Sequence, residues 1–229
     1  MVRTDTKLAL AALAIASGSL DVSAFLRLGG VFASIMTSNL IFISLAVAKA
    51  DATLVQHCAA ALVSYVAAVG AGSALAPPSG RDSRLRSRHL GLLLTGEAVL
   101  LTGCAAWWMA DGAHPESWQQ LTLLGGVVFA MGLQAAATRE LGDPDAGTTY
   151  MTGTLTAMVA NAIAGRRPDP GAILAIGGML AGAAIAVALL RTLPDVTPFL
   201  AVAAVTFTAA LSWREHRRIS NPTATPAAP

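Results

Sequence analysis

Charge is scarce in this sequence: 15 basic and 13 acidic side chains are spread over 229 residues, 12 per cent of the chain against 55 per cent hydrophobic. Soluble domains carry about a quarter charged residues. That balance, with a mean hydropathy of +0.62, excludes an ordinary soluble domain and reads as an integral membrane protein whose first partner is the lipid bilayer. The isoelectric point near 8.8 does not stand for a basic face, because the Arg residues are confined to a few loops and the tail; nucleic acid is not an expected partner. Cysteine is almost missing too. Cys58 and Cys104 both fall in apolar segments without the paired spacing of a zinc or redox site, which leaves inert buried thiols and no metal. The sequence also lacks Gly-x-Ser-x-Gly, His-Glu-x-x-His and the phosphate-cradling Gly-x-x-x-x-Gly-Lys-Ser/Thr. ATP-driven transport by this chain alone is therefore excluded, no cofactor is implied, and an enzyme is not expected.

What the chain does have is long apolar runs, at about 8–27, 31–48, 54–76, 90–110, 119–141, 147–164, 170–191 and 196–213. A spanning helix needs about 20 residues. Six runs meet or approach that length, whereas the second and sixth are shorter and richer in Ser and Thr. The first run follows Arg3 and Lys7 and could pass for a signal peptide, but it continues through Asp21 to Leu26 and many spans follow; it reads as the first transmembrane helix.

The two short runs open on related motifs. Met36-Thr37-Ser38-Asn39-Leu40 follows Gly29-Gly30-Val31-Phe32, and Met151-Thr152-Gly153-Thr154-Leu155 follows Gly147-Thr148-Thr149-Tyr150. They lie 115 positions apart (151 − 36), half the chain, so the protein reads as a duplication. The expected divisions are a cytoplasmic N-terminus at 1–7, a first membrane repeat at 8–111, a second at 119–213, and a basic, Pro/Ala-rich cytoplasmic tail at 214–229.

Charge placement bears on how many runs cross. With eight crossings and the N-terminus inside, the segment 77–89 with Arg81, Arg84, Arg86 and Arg88 lies outside and the acidic segment 111–118 inside, against the positive-inside rule. If the two motif runs dip in and return on one side, the Arg-rich segment, Arg166-Arg167 and the tail Arg214, Arg217, Arg218 all fall inside. The reading adopted is an all-α polytopic membrane protein of two homologous halves, with six full spans plus two re-entrant or broken helices carrying the Met-Thr motifs; eight spans is the alternative. Three spans per half would set the halves in opposite orientation, as in many transporters. Gly70 and Gly72 in the third run answer Gly178 and Gly182 in the seventh as close-packing positions. Trp107, Trp108 and Trp118 flank the acidic segment and Trp213 the basic tail, as aromatic belts do.

Few polar side chains fall inside spans. Asp21 and Glu97 are the acids at depth, where insertion costs at least ~2.5–3.5 kcal/mol and a functional role is the default. Asp21 sits among Ser17, Ser19 and Ser23, with Arg27 further along the same helix, and is either a protonatable group or an interfacial cap. Glu97 is about two turns into its span. Gln134 takes the place of Ser19 when the halves are aligned, and either lines a cavity with Asp21 or joins two helices. Met36, Thr37, Ser38 and Asn39, with Met151, Thr152, Gly153 and Thr154, are candidates both for helix caps and for binding a small solute, since a helix start within the membrane favours an anionic group. His57 with Tyr65 is a weaker candidate.

The patterns Ser17-Gly18-x-x-Asp21, Gly29-Gly30-Val31-Phe32 and Met36-Thr37-Ser38-Asn39, with Gly132-Leu133-Gln134 and Thr148-Thr149-Tyr150-Met151-Thr152-Gly153-Thr154-Leu155, resemble the signature of the YoaK-like bacterial membrane proteins, domain of unknown function 1275, over residues 8–213. The resemblance implies a bacterial inner-membrane protein of about six spans and no established activity. Two positions depart from the family pattern, Ser38 where Gly is common and Ala135 where Asn is common. The function expected is secondary transport of a small solute, proton-coupled through Asp21 or Glu97; the rival is a non-transporting scaffold or accessory subunit. The sequence specifies neither the solute nor whether the chain forms a homo-oligomer.

Overall fold

Residues 4–76, 83–112, 115–140, 151–167 and 169–220 are described by the computed structural model. They form helices and connecting turns. The tail from Asn221 onwards and the segment 141–150 ahead of the second motif lie outside the described residues. Six helices are long and apolar enough to cross a membrane: α1 (Thr4–Arg27), α3 (Ala52–Ala74), α4 (Ser83–Ala110), α5 (Ser117–Glu140), α7 (Pro170–Thr192) and α8 (Phe199–Ser220). Between them lie α2 (Met36–Ala48) and α6 (Met151–Ile163), each of 13 residues. At 1.5 Å per residue these two reach about 20 Å, short of the ~30 Å hydrocarbon core. The protein is an all-α polytopic membrane protein.

Local chemistry sets the helix ends. Asp51 accepts a bond from the Leu54 amide at the start of α3, after Ala50 turns the chain with φ of 53°. Asp169 accepts from the Gly171 amide at the start of α7, where Pro170 takes the first-turn position that needs no N–H. Two boundaries differ from the sequence reading. Helix α4 begins at Ser83, so Arg84, Arg86 and Arg88 are helical and not in a loop, and α8 runs on to Ser220. Arg is a good helix former, and these turns hold each other: Arg84 Nη2 donates to the Ser220 carbonyl at 3.0 Å, and Ser87 Oγ lies 2.9 Å from His216 Nδ1.

Helices distant in sequence interlock. Helix α1 packs along α7 and against α8; α5 packs along α3 and against α4; α4 and α8 pair with each other. Directions follow from the contacts. Gly178 meets the Ala11 carbonyl and Gly182 that of Ile15, and Lys7 lies 3.8 Å from Asp169, so α1 and α7 run in parallel. Gly72 faces Ala136 and Gly132 faces Ala68, so α3 and α5 do too. Ser87 pairs with His216 and Trp108 with Pro194, making α4 and α8 antiparallel. Gly96 faces Leu133 and Trp107 faces Trp118, making α4 and α5 antiparallel. A cavity lined by Leu20, Ala24, Cys104, Trp108 and Val127 brings the later part of α1 to the end of α4 and the first half of α5. Helices α1, α4 and α7 therefore run one way and α3, α5 and α8 the other.

The close approaches come in related pairs. A β-carbon at Gly18 of α1 would strike the Met179 carbonyl of α7, and one at Gly132 of α5 would stand 2.9 Å from the Tyr65 carbonyl of α3. Both members of the second pair are displaced by 114 positions from the first (132 − 18 and 179 − 65). The packing role expected of Gly72, Gly178 and Gly182 is met, but Gly70 has nothing within 4 Å of its β-position among the described residues. Trp108 is another correction. It is 3 % exposed and donates from Nε1 to the Pro194 carbonyl at 2.9 Å, a joint between α4 and the turn before α8 and not part of a belt.

Candidate functional site

The stretch from Leu28 to Ile35 doubles back along α1. Gly29 and Gly30 take φ of 95° and 75°, a left-handed conformation that glycine adopts without strain. The position of a Gly29 side chain is already filled by the His57 ring, whose Nδ1 lies 2.8 Å from the Thr53 carbonyl. Val31, Ala33 and Ser34 are buried. Ser34 reaches the level of Asp21, six residues before the end of α1, and the chain then turns into α2. Phe25 lies 6.4 Å from Phe42 and 5.2 Å from Phe32, so α2 climbs beside α1 in the same direction. The first motif is thus a descending extended segment and a returning half-length helix.

Two polar side chains hold this arrangement. The Asp21 carboxylate, 3 % exposed, accepts from the Ser34 amide at 2.7 Å and from the Ser34 hydroxyl at 2.6 Å. Asn39, fully buried, accepts from the Phe32 amide at 3.0 Å through Oδ1 and donates to the Phe32 carbonyl at 2.7 Å through Nδ2. Asn39 is not the cap of its helix: the N-cap is Ile35, which makes no side-chain capping bond. Instead it replaces the β-ladder partner that an extended segment at membrane depth otherwise lacks. Of the other first-motif candidates, Met36 is half-buried and packs against the core, Ser38 is half-buried and Thr37 is exposed.

The second motif is only partly described. Helix α6 starts at Met151, half-buried; Thr152 and Gly153 are exposed, and Thr154, at the motif position that Asn39 holds in the first motif, is buried. Helix α2 packs on α3 and α6 on α7, and the two short helices do not form a packed pair.

Gln134 and Glu97 lie elsewhere. Gln134 is fully buried and donates from Nε2 to Ser17 Oγ at 2.9 Å and toward the Leu13 carbonyl at 3.4 Å, tying α5 to α1. The helix-joining alternative describes it. Glu97 sits near the middle of α4, fully buried, and neither carboxyl oxygen has a hydrogen-bond partner among the described residues. Because Gly96 faces Leu133, Glu97 is level with the Gln134 turn of α5. Asp21 and Glu97, alike in the sequence, are therefore opposite in kind: one is fully engaged and the other stands alone. The sequence reading missed Ser34 as the partner of Asp21, for want of any signal that the chain reverses after Gly30. No group of three or more His, Cys, Asp or Glu able to hold a metal ion occurs among the described residues.

A family model described as "Protein of unknown function (DUF1275)" matches residues 9–212, nearly the whole helical bundle. The chain belongs to this family. Among its curated relatives is the UPF0700 transmembrane protein YoaK of Bacillus subtilis (strain 168), 26 % identical over 158 residues, which are 69 % of this chain and 67 % of that protein. No solved structure matches the chain. For this member of the DUF1275 family, function has to be argued from the clamped half-helix and the buried polar groups just described.

Proposed function

We propose that this protein is a secondary transporter of a small solute, built as an inverted duplication in the bacterial inner membrane with both termini in the cytoplasm. The observation that carries the reading is the half-length helix α2, which begins at the depth of Asp21 in a bundle whose two halves run in opposite directions, with α6 as its counterpart. Broken or re-entrant helices in inverted repeats supply transporters with backbone groups at membrane depth, where a solute or ion can use them. The matched contacts of Gly18 with Met179 and Gly132 with Tyr65 support the duplication. Orientation is supported by charge. Lys7, Arg84, Arg88, Arg166, Arg214 and Arg218 gather at one end of the bundle with Asp169 and Glu215, while Asp51, Asp111, Glu116 and Asp195 lie toward the other with Arg27, Lys49 and Arg191; the excess of basic residues at the first end is what the positive-inside rule expects for a cytoplasmic N-terminus.

The residues assigned to the solute are those of the two motifs that face outwards from the clamp, Thr37 with Ser38 and Thr152 with Gly153. Asp21 and Asn39 hold the backbone that presents them. One observation favours the rival, a non-transporting scaffold: the cavity beside Leu20, Ser23 and Cys104 is about 20 Å³ and apolar, room for about one water-sized sphere. On the transport reading a path for the solute opens by movement of one half against the other. The deciding experiment is uptake of a panel of radiolabelled small solutes by proteoliposomes, comparing the natural protein with Thr37→Val and Thr152→Val. The transport reading expects flux that falls with either substitution while thermal unfolding is unchanged. Stability lost with no flux for any solute supports the scaffold.

A further inference from the structure

The junction of α4, α5 and α8 contains one ionisable group with nothing to do in holding the fold. Glu97 is fully buried there, and neither Oε1 nor Oε2 has a hydrogen-bond partner among the described residues. The side-chain donors at its level are committed elsewhere. Gln134 donates to Ser17 of α1, the Thr208 hydroxyl donates to the Ala204 carbonyl of its own helix at 3.0 Å, and the Thr95 hydroxyl donates to the Gly91 carbonyl and accepts from Trp213. No charge offsets it either. Helix α5 has no titratable side chain from Ser117 to Thr138, and α8 has none from Phe199 to Trp213; α4 itself adds only Cys104 between Leu90 and Ala110. The cationic side chains that follow in sequence beyond those stretches are Arg88 of α4, with the buried His89 beside it, Arg139 of α5 and Arg214 of α8, and on α1, which packs on both α5 and α8, the charged groups from Lys7 onwards are Lys7, Asp21 and Arg27.

We propose that Glu97 is an exchangeable proton-binding site, the group through which a proton gradient drives this bundle. A buried carboxylate without a partner is disfavoured, and a carboxylic acid is the form that such surroundings accept. A metal ion would need several oxygen ligands turned towards it; a proton needs only the carboxylate. A fully engaged carboxylate such as Asp21 is a poor carrier, because releasing its partners undoes the loop, whereas Glu97 can change protonation state without breaking any bond in the fold. The alternation of a transporter supplies the exchange, by exposing the α4–α5–α8 junction to each side in turn. As a driving site, Glu97 rests on the transport reading above; as a proton site it can be tested without any solute.

The test is carbodiimide modification of the unaltered full-length protein in liposomes. Dicyclohexylcarbodiimide is apolar, enters the bilayer and attacks only protonated carboxyls. The carboxyl oxygen bonds to the central carbon as its proton passes to a nitrogen, and the resulting O-acylisourea rearranges to a stable N-acylurea, with every reagent atom retained. Peptide mass spectrometry should find the adduct on Glu97 and not on Asp21, with the yield falling as the buffer is taken from mildly acidic to alkaline. Glu97→Gln should lose the adduct. No adduct on Glu97 at any pH, or a yield that does not change with pH, overturns the proposal, since a carboxyl that never releases its proton cannot carry one. Failure of the transport reading is distinguishable from this: pH-dependent labelling with no flux of any solute leaves the proton site standing and removes its role in transport.

Discussion

Asn39 bonds Phe32 on both sides of its peptide backbone, giving at 2.7 Å and taking at 3.0 Å, in a segment with no strand to pair with among the described residues. Removing that amide leaves the part-buried Phe32 N–H and C=O without their partner, and a fully buried group so stranded costs about 1–3 kcal/mol. Asn39→Ala is expected to lower stability by about 1–3 kcal/mol in all, read from thermal unfolding in detergent. Asn39→Asp should be nearly as damaging, because a carboxylate keeps the bond from the Phe32 amide but faces the Phe32 carbonyl without a proton to give. If either variant unfolds like the natural protein, the clamp does not hold the loop.

Asp21 and Ser34 make the second fastening. Hydrogen bonds to a charged group contribute about 1.5–3 kcal/mol, and two meet on this carboxylate. Ser34→Ala removes one bond and leaves the amide; Asp21→Ala removes both. The expected order of damage is Asp21→Ala well above Ser34→Ala. In a double-mutant cycle the pair should be non-additive by about 1–3 kcal/mol. Additive losses would mean that Asp21 is held by something other than Ser34.

Much of this architecture was open to reading from the residues, and the exceptions have physical causes. Six helices of spanning length and two short ones follow from run length. The motif starts at Met36 and Met151 coincide with the starts of α2 and α6. What was not legible is which partner each buried polar group finds. Asp21 and Glu97 look equivalent as lone acids in apolar runs, and only the reversal of the chain after Gly30 brings Ser34 to one of them. Trp108 reads as a belt residue until the turn at Pro194 offers it a carbonyl. Gly70 and Gly72 look like one packing element, yet two residues along a helix turn to different faces, and only Gly72 meets a neighbour.

That difference between glycines gives a controlled comparison. Gly18→Ala drives a methyl group into the Met179 carbonyl, and Gly132→Ala sets one 2.9 Å from the Tyr65 carbonyl. Backbone cannot swing aside, so α1 must part from α7, or α5 from α3. Overpacking of this kind costs about 1–3 kcal/mol. Gly70→Ala has open space and should be neutral or stabilising by up to about 1 kcal/mol, from reduced backbone entropy in the unfolded chain. Thermal unfolding of the three variants should separate the first two from the third; equal melting of all three would contradict the close helix contacts.

Sidedness is the prediction on which the cytoplasmic placement of both termini depends. In a background with Cys58→Ala and Cys104→Ala, a single cysteine is placed at Arg84, on the exposed first turn of α4, or at Glu116, exposed just before α5. These positions lie at opposite ends of the bundle, because α4 runs from one to the other. Treated as intact cells with an impermeant maleimide, Arg84→Cys should stay unlabelled until the membrane is permeabilised, and Glu116→Cys should label at once. Labelling of Arg84→Cys in intact cells would place the Arg cluster outside, against the charge bias of short loops, and would reverse the whole bundle. Labelling of both would mean that α4 does not cross. Protection of the first and reaction of the second would leave α2 entering from the outer face and α6 from the inner, the geometry that alternating access to a shared interior requires.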